Sequence, residues 1–360
     1  MEQFYCKTKI FSGPGAAGQL KELKSQRLFL VSDPYFTKDG TARQIAGLSG
    51  AEQIQIFDEI VPDPSVELAA EGTALIQKFR PDTVVALGGG SALDCAKAMT
   101  YFSGLPVRLV AIPTTSGSGS EVTDFAILTH RGTKHPLIDE KMQPDVAILD
   151  SGLLKQLPKS LVADCGFDVL SHALEALAAI NAGPITDALA RESFLMAFTH
   201  LPASFQGQTG VRQHIHTAAT MAGMAFSQAG LGLCHALAHA LGGQLHLPHG
   251  RLNAIVMPAV LEYNSSAAGA KYARLARYAG VGGSTDLLAV RNLKNALIRL
   301  RRELQLPQDL QQAGADLSLL REKKDRIIQA VLEDPCCKTN PVPVTESAVA
   351  KILQSVTGHG

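Results

Sequence analysis

The chain has 360 residues, more than one ordinary domain holds, and two domains are the natural expectation. Lysine plus arginine balances aspartate plus glutamate at 33 each, so no basic excess points to nucleic acid or to an anionic membrane. With 46% hydrophobic residues the material for large cores is ample; the lack of a leader-like start, of a bilayer-length apolar run and of any disulfide framework among six scattered cysteines points to a reduced, cytoplasmic setting.

Residues 1–150 alternate between strand and helix patterns. Expected strands are Arg27–Ser32, Gln53–Phe57, Thr83–Leu87, Val107–Ile112 and Val146–Leu149, several of them continuous apolar runs, as strands buried on both faces are. Helical patterns such as Val66–Phe79 and Ala92–Tyr101 lie between them. The alternation predicts an α/β layer with a parallel sheet. The strand TVVAL runs into Gly88-Gly89-Gly90-Ser91 and then a helix. Glycines there let backbone approach an anion, and a helix N-terminus offers free N–H groups and a positive dipole end. Ser91 is the expected N-cap, with Asp94 completing a capping box. The motif is not the GxGxxG fingerprint, and a tight structural turn is its alternative reading. The next strand opens into Pro113-Thr114-Thr115-Ser116-Gly117-Ser118-Gly119-Ser120-Glu121, a hydroxyl-rich loop at a carboxyl strand end, where ligands of open α/β sheets bind. Asp33 ends the first strand, FLVSD. A carboxylate there can take adenosine ribose hydroxyls and repel a 2′-phosphate, although a lone Asp at a strand end is also an ordinary turn former. The segment between Thr129 and Pro144 reads as short and irregular.

From Ser151 the strand signals stop. Ala- and Leu-rich helical segments follow at Ser160–Ala179, Thr186–Leu201, Val211–Ser227, Ala289–Leu304 and Asp316–Leu332, so 151–360 reads as an all-helical domain. Within it, GLGLCHALAHALGGQLHLPHG holds four of eleven histidines. His235 and His239 stand one helical turn apart on one face. Gly242 and Gly243 are expected to end that helix, and the chain then returns His246 and His249 past Pro248. Upstream, Asp168 and His172 repeat the one-turn spacing inside an apolar helix, where an unpartnered carboxylate and imidazole are costly to bury. A divalent cation is a partner for both. One carboxylate with histidines suits Fe(II) or Zn(II) and is too nitrogen-rich for Mg or Ca. Spacing alone does not choose between His235 and His239, or between His246 and His249.

GGGSALDCAK, IPTTSGSGSEVT, GFDVLSHALEA and GLGLCHALAHALGGQLHLPHG, in this order and spacing, resemble the iron-containing alcohol dehydrogenase family, from Phe11 to the C-terminal CCKTNP segment. The wording is most similar to the alcohol dehydrogenases of propanediol and ethanolamine utilisation. The resemblance implies the dehydroquinate synthase-like architecture: an N-terminal dinucleotide-binding α/β domain, a C-terminal helical metal-binding domain, and an active site in the cleft between. Carried over by motif, the metal ligands would be Asp168, His172, His235 and His249, leaving His239 as a proton relay. Asp33, Gly88, Gly89, Gly90, Ser91, Thr114, Thr115 and Ser118 fall at family cofactor positions, with Lys134 and Leu153 matching less closely. Cys234 turns away from His235 and is not read as a ligand. The implied activity is NAD-dependent interconversion of short-chain primary alcohols and aldehydes, such as propanol and propanal, with Fe(II), or Zn(II) in its place. Phe125 and Phe226 would line the substrate pocket. A homodimer is implied, in the cytoplasm or inside a bacterial microcompartment shell. The competing readings are a glycerol-type polyol dehydrogenase, a dehydroquinate synthase-like lyase, which would need Lys or Arg beside the metal, and a non-catalytic protein of the same fold.

Overall fold

The computed structural model describes residues 4–130 and 133–358. The chain divides into two compact units, one of Tyr5–Leu157 and one running from Pro158 onward.

In the first unit six strands form a parallel sheet: β1 (Lys9–Ser12), β2 (Arg27–Ser32), β3 (Gln53–Phe57), β4 (Thr83–Gly88), β5 (Arg108–Pro113) and β8 (Val146–Leu149), in the order β1-β8-β5-β4-β2-β3. Every residue of β4 is buried, because helices cover both faces of a parallel sheet. One apolar cluster, with Phe29, Val84, Met99 and Leu109, fills one face; another, with Leu28, Leu30, Val85 and Ile148, fills the other. The alternation of inward residues along β2 and β4 divides their side chains between the two cores.

The segment after Thr129 is more regular than its sequence suggests. β6 (Phe125–His130) and β7 (Thr133–Ile138) form an antiparallel ribbon in which Ile127 faces Pro136. Pro136 and the polar neighbours hide the strand in a propensity reading, yet a two-stranded ribbon has only edges, where proline is tolerated. β1 was likewise unmarked; it is a four-residue edge strand with no fully buried position.

The second unit is helical among the described residues. Helices span Lys159–Ala178, Pro184–Phe205, Arg212–Ala229, Leu233–Leu245, His249–Tyr278 and Asp286–Glu303. The segment expected as one helix at 316–332 is two, Leu317–Glu322 and Lys324–Glu333, broken at Lys323. The thirty-residue helix from His249 escaped the sequence reading because Pro258 lies inside it. Gly242 and Gly243 do not end the preceding helix. It continues to Leu245, and exposed His246 takes the left-handed cap at φ 53°, its N–H bonding to the Gly242 carbonyl at 3.0 Å. Two glycines in a final turn cost a helix only about 1 kcal/mol each, less than its packing returns.

Candidate metal centre and dinucleotide loops

Three helices build the first site. Lys159–Ala178 carries Asp168 and His172, Leu233–Leu245 carries His235 and His239, and His249 opens the helix His249–Tyr278. Gly250 sets how closely that last helix can approach: a Cβ there would lie 2.0 Å from the Asp164 carbonyl oxygen. Arg251 then clamps the approach, donating from Nε and Nη2 to the two oxygens of Asp164 at 3.2 and 3.0 Å. Asp168 Oδ1 consequently stands 3.8 Å from His235 Nε2 and 3.5 Å from His249 Nε2. One donor atom from each of the three lies within 4.8 Å of the others. His172 is not part of that triple; its ring stacks on His235 with centroids 4.4 Å apart, and on Phe226 at the same distance. His246 is exposed and capping a helix.

Two residues that motif reading passed over hold this triple in order. Glu175 is buried and accepts from the backbone N–H of Gly232 at 2.9 Å, Cys234 at 2.6 Å and His235 at 3.3 Å, and from His235 Nδ1 at 2.6 Å. The helix Leu233–Leu245 has glycine at its N-cap and no side-chain cap of its own, so Glu175 and Asn340, which accepts from Leu233 N at 3.1 Å, serve its orphan donors. Burial pushes Glu175 up to about 7, against the pull of those backbone donors. A carboxylate accepting at Nδ1 fixes the tautomer: the proton sits there and the Nε2 lone pair faces Asp168. Burial, then His172, His249 and His239, holds His235 well below the ordinary imidazole range, so it is neutral. Asn253 donates from Nδ2 to Asp168 Oδ1 at 2.9 Å, and the same nitrogen lies 3.1 Å from His249 Nε2 and 3.4 Å from His235 Nε2. Its amide hydrogens therefore meet the lone pairs that a cation would take. Spacing could have found both: Glu175 is seven residues past Asp168 and Asn253 four past His249, each on the same helix face.

His239 stacks on His249 with centroids 5.2 Å apart, and its Nδ1 pairs with Asp334 Oδ2 at 2.8 Å. Cys234 points to Asn253, its Sγ 3.4 Å from Oδ1, and burial drives its thiol well above the usual range.

The residues expected to meet a dinucleotide lie in the α/β unit, at neighbouring strand ends. β2 pairs with β4 through Ser32 and Leu87, and β4 with β5 through Gly88 and Pro113. Asp33, the glycine loop and Thr114 thus follow three adjacent strands, although more than fifty residues separate the first two in sequence. At Gly88, φ 157°, a Cβ would meet Ala92 Cβ at 2.6 Å and stand 3.6 Å from Asp33 Oδ2. A Cβ at Gly89 would lie 3.4 Å from Thr115 Oγ1, and one at Gly90 3.2 Å from Ser118 Oγ. The two loops therefore face each other at backbone distance. Asp33 caps the short helix Pro34–Lys38 by accepting from Tyr35 N at 2.9 Å and Phe36 N at 3.4 Å; burial raises its carboxyl pKa and these bonds oppose that. Ser91 is not the N-cap. The cap position is Gly89, two residues earlier, so the helix Gly90–Ser103 starts without a side-chain cap, and Asp94 turns inward to accept from Ser120 Oγ and from Ile127 N at 3.0 Å. The buried demand of the ribbon and hydroxyl loop outcompetes the capping box. Lys134 lies on β7, paired with Asp63 at 2.7 Å, and Leu153 packs against the sheet's core. Phe125 opens β6, and its carbonyl accepts from buried Lys97 Nζ at 2.9 Å.

Two family models match the chain: "Iron-containing alcohol dehydrogenase" over residues 7–151, and "Fe-containing alcohol dehydrogenase family, C-terminal" over 162–357. The chain is 37% identical over 372 residues to the 1-propanol dehydrogenase PduQ of Salmonella typhimurium, covering 99% of this chain and all of that one. It is 35% identical to the NADPH-dependent butanol dehydrogenase of Clostridium saccharobutylicum, over 99% of this chain and 98% of that one. Among solved structures, sulfoacetaldehyde reductase from Bifidobacterium kashiwanohense in complex with NAD+ superposes with a TM-score of 0.90 at 25% identity, covering both chains completely.

Proposed function

This chain belongs to the iron-containing alcohol dehydrogenase family, and from that premise we propose that it interconverts short-chain primary alcohols and aldehydes with NAD(H), at a divalent metal held by Asp168, His172, His235 and His249. The observation that carries the reading is the convergence of Asp168, His235 and His249 on one point, with lone pairs directed there. One carboxylate and imidazoles at these separations fit Fe(II) or Zn(II). A bound ion supplies Lewis-acid polarisation of the substrate oxygen. The nicotinamide of bound NAD supplies the hydride acceptor.

The chain's own residues do the remaining work. Glu175 fixes His235 in the ligating tautomer, and Asn253 orients Asp168. Asp33 takes ribose hydroxyls and disfavours a 2′-phosphate. Gly88, Gly89, Gly90 and Ser91 admit the pyrophosphate to an uncapped helix N-terminus, with Thr114, Thr115 and Ser118 across from it. Lys134 and Leu153 carry less support, the one ion-paired and the other packed in a core. His239, its Nδ1 held by Asp334, leaves Nε2 to exchange the substrate proton. A reducing, cytoplasmic setting and a homodimer are what we expect for this chain.

Two observations weigh against the competing readings. A lyase acting on an acidic, phosphorylated substrate needs a free cation, and Arg251 beside the ligands is occupied by Asp164. A polyol needs polar partners, whereas the wall beside His172 is the buried ring of Phe226. A second hydroxyl left unpaired there costs about 1–3 kcal/mol, while each added methylene gains ~0.8 kcal/mol on burial. The test is an NADH absorbance assay with propanol, butanol, glycerol and propane-1,2-diol, run on metal-loaded and chelator-stripped enzyme. Higher kcat/KM for the two alkanols, and no turnover without metal, are the expected results. Full activity in metal-free enzyme refutes the metal reading, and a preference for glycerol or the diol refutes the pocket reading.

A further inference from the structure

We propose that His239, Asp334 and Cys336 form a second cation site, separate from the Asp168 cluster, that takes a zinc-like divalent ion. An imidazole, a carboxylate and a thiol here each offer a donor atom within 4.8 Å of the other two. The donors come from two elements: His239 from the helix Leu233–Leu245, and Asp334 and Cys336 from the N-cap and first turn of the 3-10 helix Pro335–Thr339.

Asp334 organises the group. Its Oδ2 holds His239 Nδ1 at 2.8 Å, and its Oδ1 accepts the backbone N–H of Cys336 at 2.8 Å, which seats the thiol beside the carboxylate. All three residues are half-buried, open enough for an ion to enter and sheltered enough to hold it. The neighbouring Cys337 is not part of the site, because its Sγ donates to the Val331 carbonyl at 3.0 Å. A nitrogen, oxygen and sulfur set excludes Mg and Ca and suits Zn(II) or Co(II). Three protein donors leave a fourth tetrahedral position for water. Burial and the negative charges of Asp334 and Glu175 push the Cys336 thiol well above its usual range, and a bound cation reverses the sign of that surrounding potential.

The position of the site has a consequence. His239 stacks directly on His249, so an ion bound through His239 Nδ1 immobilises that imidazole and places positive charge one ring from the Asp168 cluster. Excess zinc should therefore inhibit turnover. This consequence, unlike the site itself, rests on the reading of His239 as proton relay.

The experiment titrates the holoenzyme, already carrying its first ion, with Co2+ and in parallel with Zn2+. Expected are one further equivalent bound and a cobalt–thiolate charge-transfer band in the near ultraviolet. Cys336→Ser should lose the band and the second equivalent while keeping the first ion and its turnover in the absence of added metal. Asp334→Asn, which leaves the thiol in place, should weaken the second equivalent. Failure to bind a second equivalent, or a charge-transfer band that survives in Cys336→Ser, overturns the site. A second equivalent that binds without slowing turnover supports the site and counts instead against the relay role of His239.

Discussion

Replacing Glu175 with glutamine tests whether the carboxylate behind His235 governs metal affinity or only caps a helix. The wild-type carboxylate accepts four N–H groups, three from the backbone at Gly232, Cys234 and His235 and one from His235 Nδ1. Glutamine keeps the volume but has a single acceptor oxygen. If that oxygen stays with the helix N-terminus, the amide NH2 faces Nδ1, and two donors meet. His235 relieves the clash by moving its proton to Nε2, the nitrogen that faces Asp168, which removes a ligand lone pair. Losing an outer partner of a metal-bound histidine typically costs 10–100-fold in affinity, about 1.4–2.7 kcal/mol. The helix cap weakens as well, because an N–H left buried without a partner costs about 1–3 kcal/mol. Metal affinity is read by competition with a chromogenic chelator, and stability by urea unfolding of the metal-free protein. The expected result is loss in both, with Glu175→Asp recovering part of the stability but little of the affinity, since its shorter arm withdraws from Nδ1. Unchanged metal affinity with reduced stability would refute the tautomer argument and leave Glu175 a cap.

Three further substitutions separate the remaining roles. His249→Ala should lose bound metal and activity together, while far-ultraviolet circular dichroism stays near wild type; retention of metal would remove His249 from the ligand set. Asp33→Ser keeps a cap for the helix Pro34–Lys38 and removes the charge, so NADP should gain on NAD by about 1–3 kcal/mol in kcat/KM, and an unchanged ratio would mean that Asp33 does not face the ribose. His239→Asn should retain metal and slow turnover about 10²-fold or more, as lost general acid–base catalysis does; loss of metal instead would make His239 a ligand. Both outcomes are read by metal analysis of the purified variant beside its rate.

Much of this protein is written locally in its chain. Continuous apolar runs such as LVAIP have one use in an α/β chain, a strand buried on both faces, and the one-turn spacings of Asp168 with His172 and of His235 with His239 follow from helix geometry alone. Local pattern also misled where tertiary packing outweighs propensity. Gly242 and Gly243 stay helical, Pro258 sits within thirty helical residues, and Pro136 lies on a ribbon edge. Ser91 is likewise no cap, because Asp94 serves Ser120 and Ile127 instead. What only the folded chain decides is which distant groups meet. Sheet order brings Asp33 beside Gly88 across more than fifty residues. Gly250 and the Arg251–Asp164 clamp let His249 reach Asp168. Glu175, Asn253, Asp334 and Asn340 act through partners up to 107 residues away, which no stretch of sequence around them names. A hydrogen bond or a ligand set depends on ångström distances between such partners, and residue spacing along one chain encodes those only within a single helix or strand.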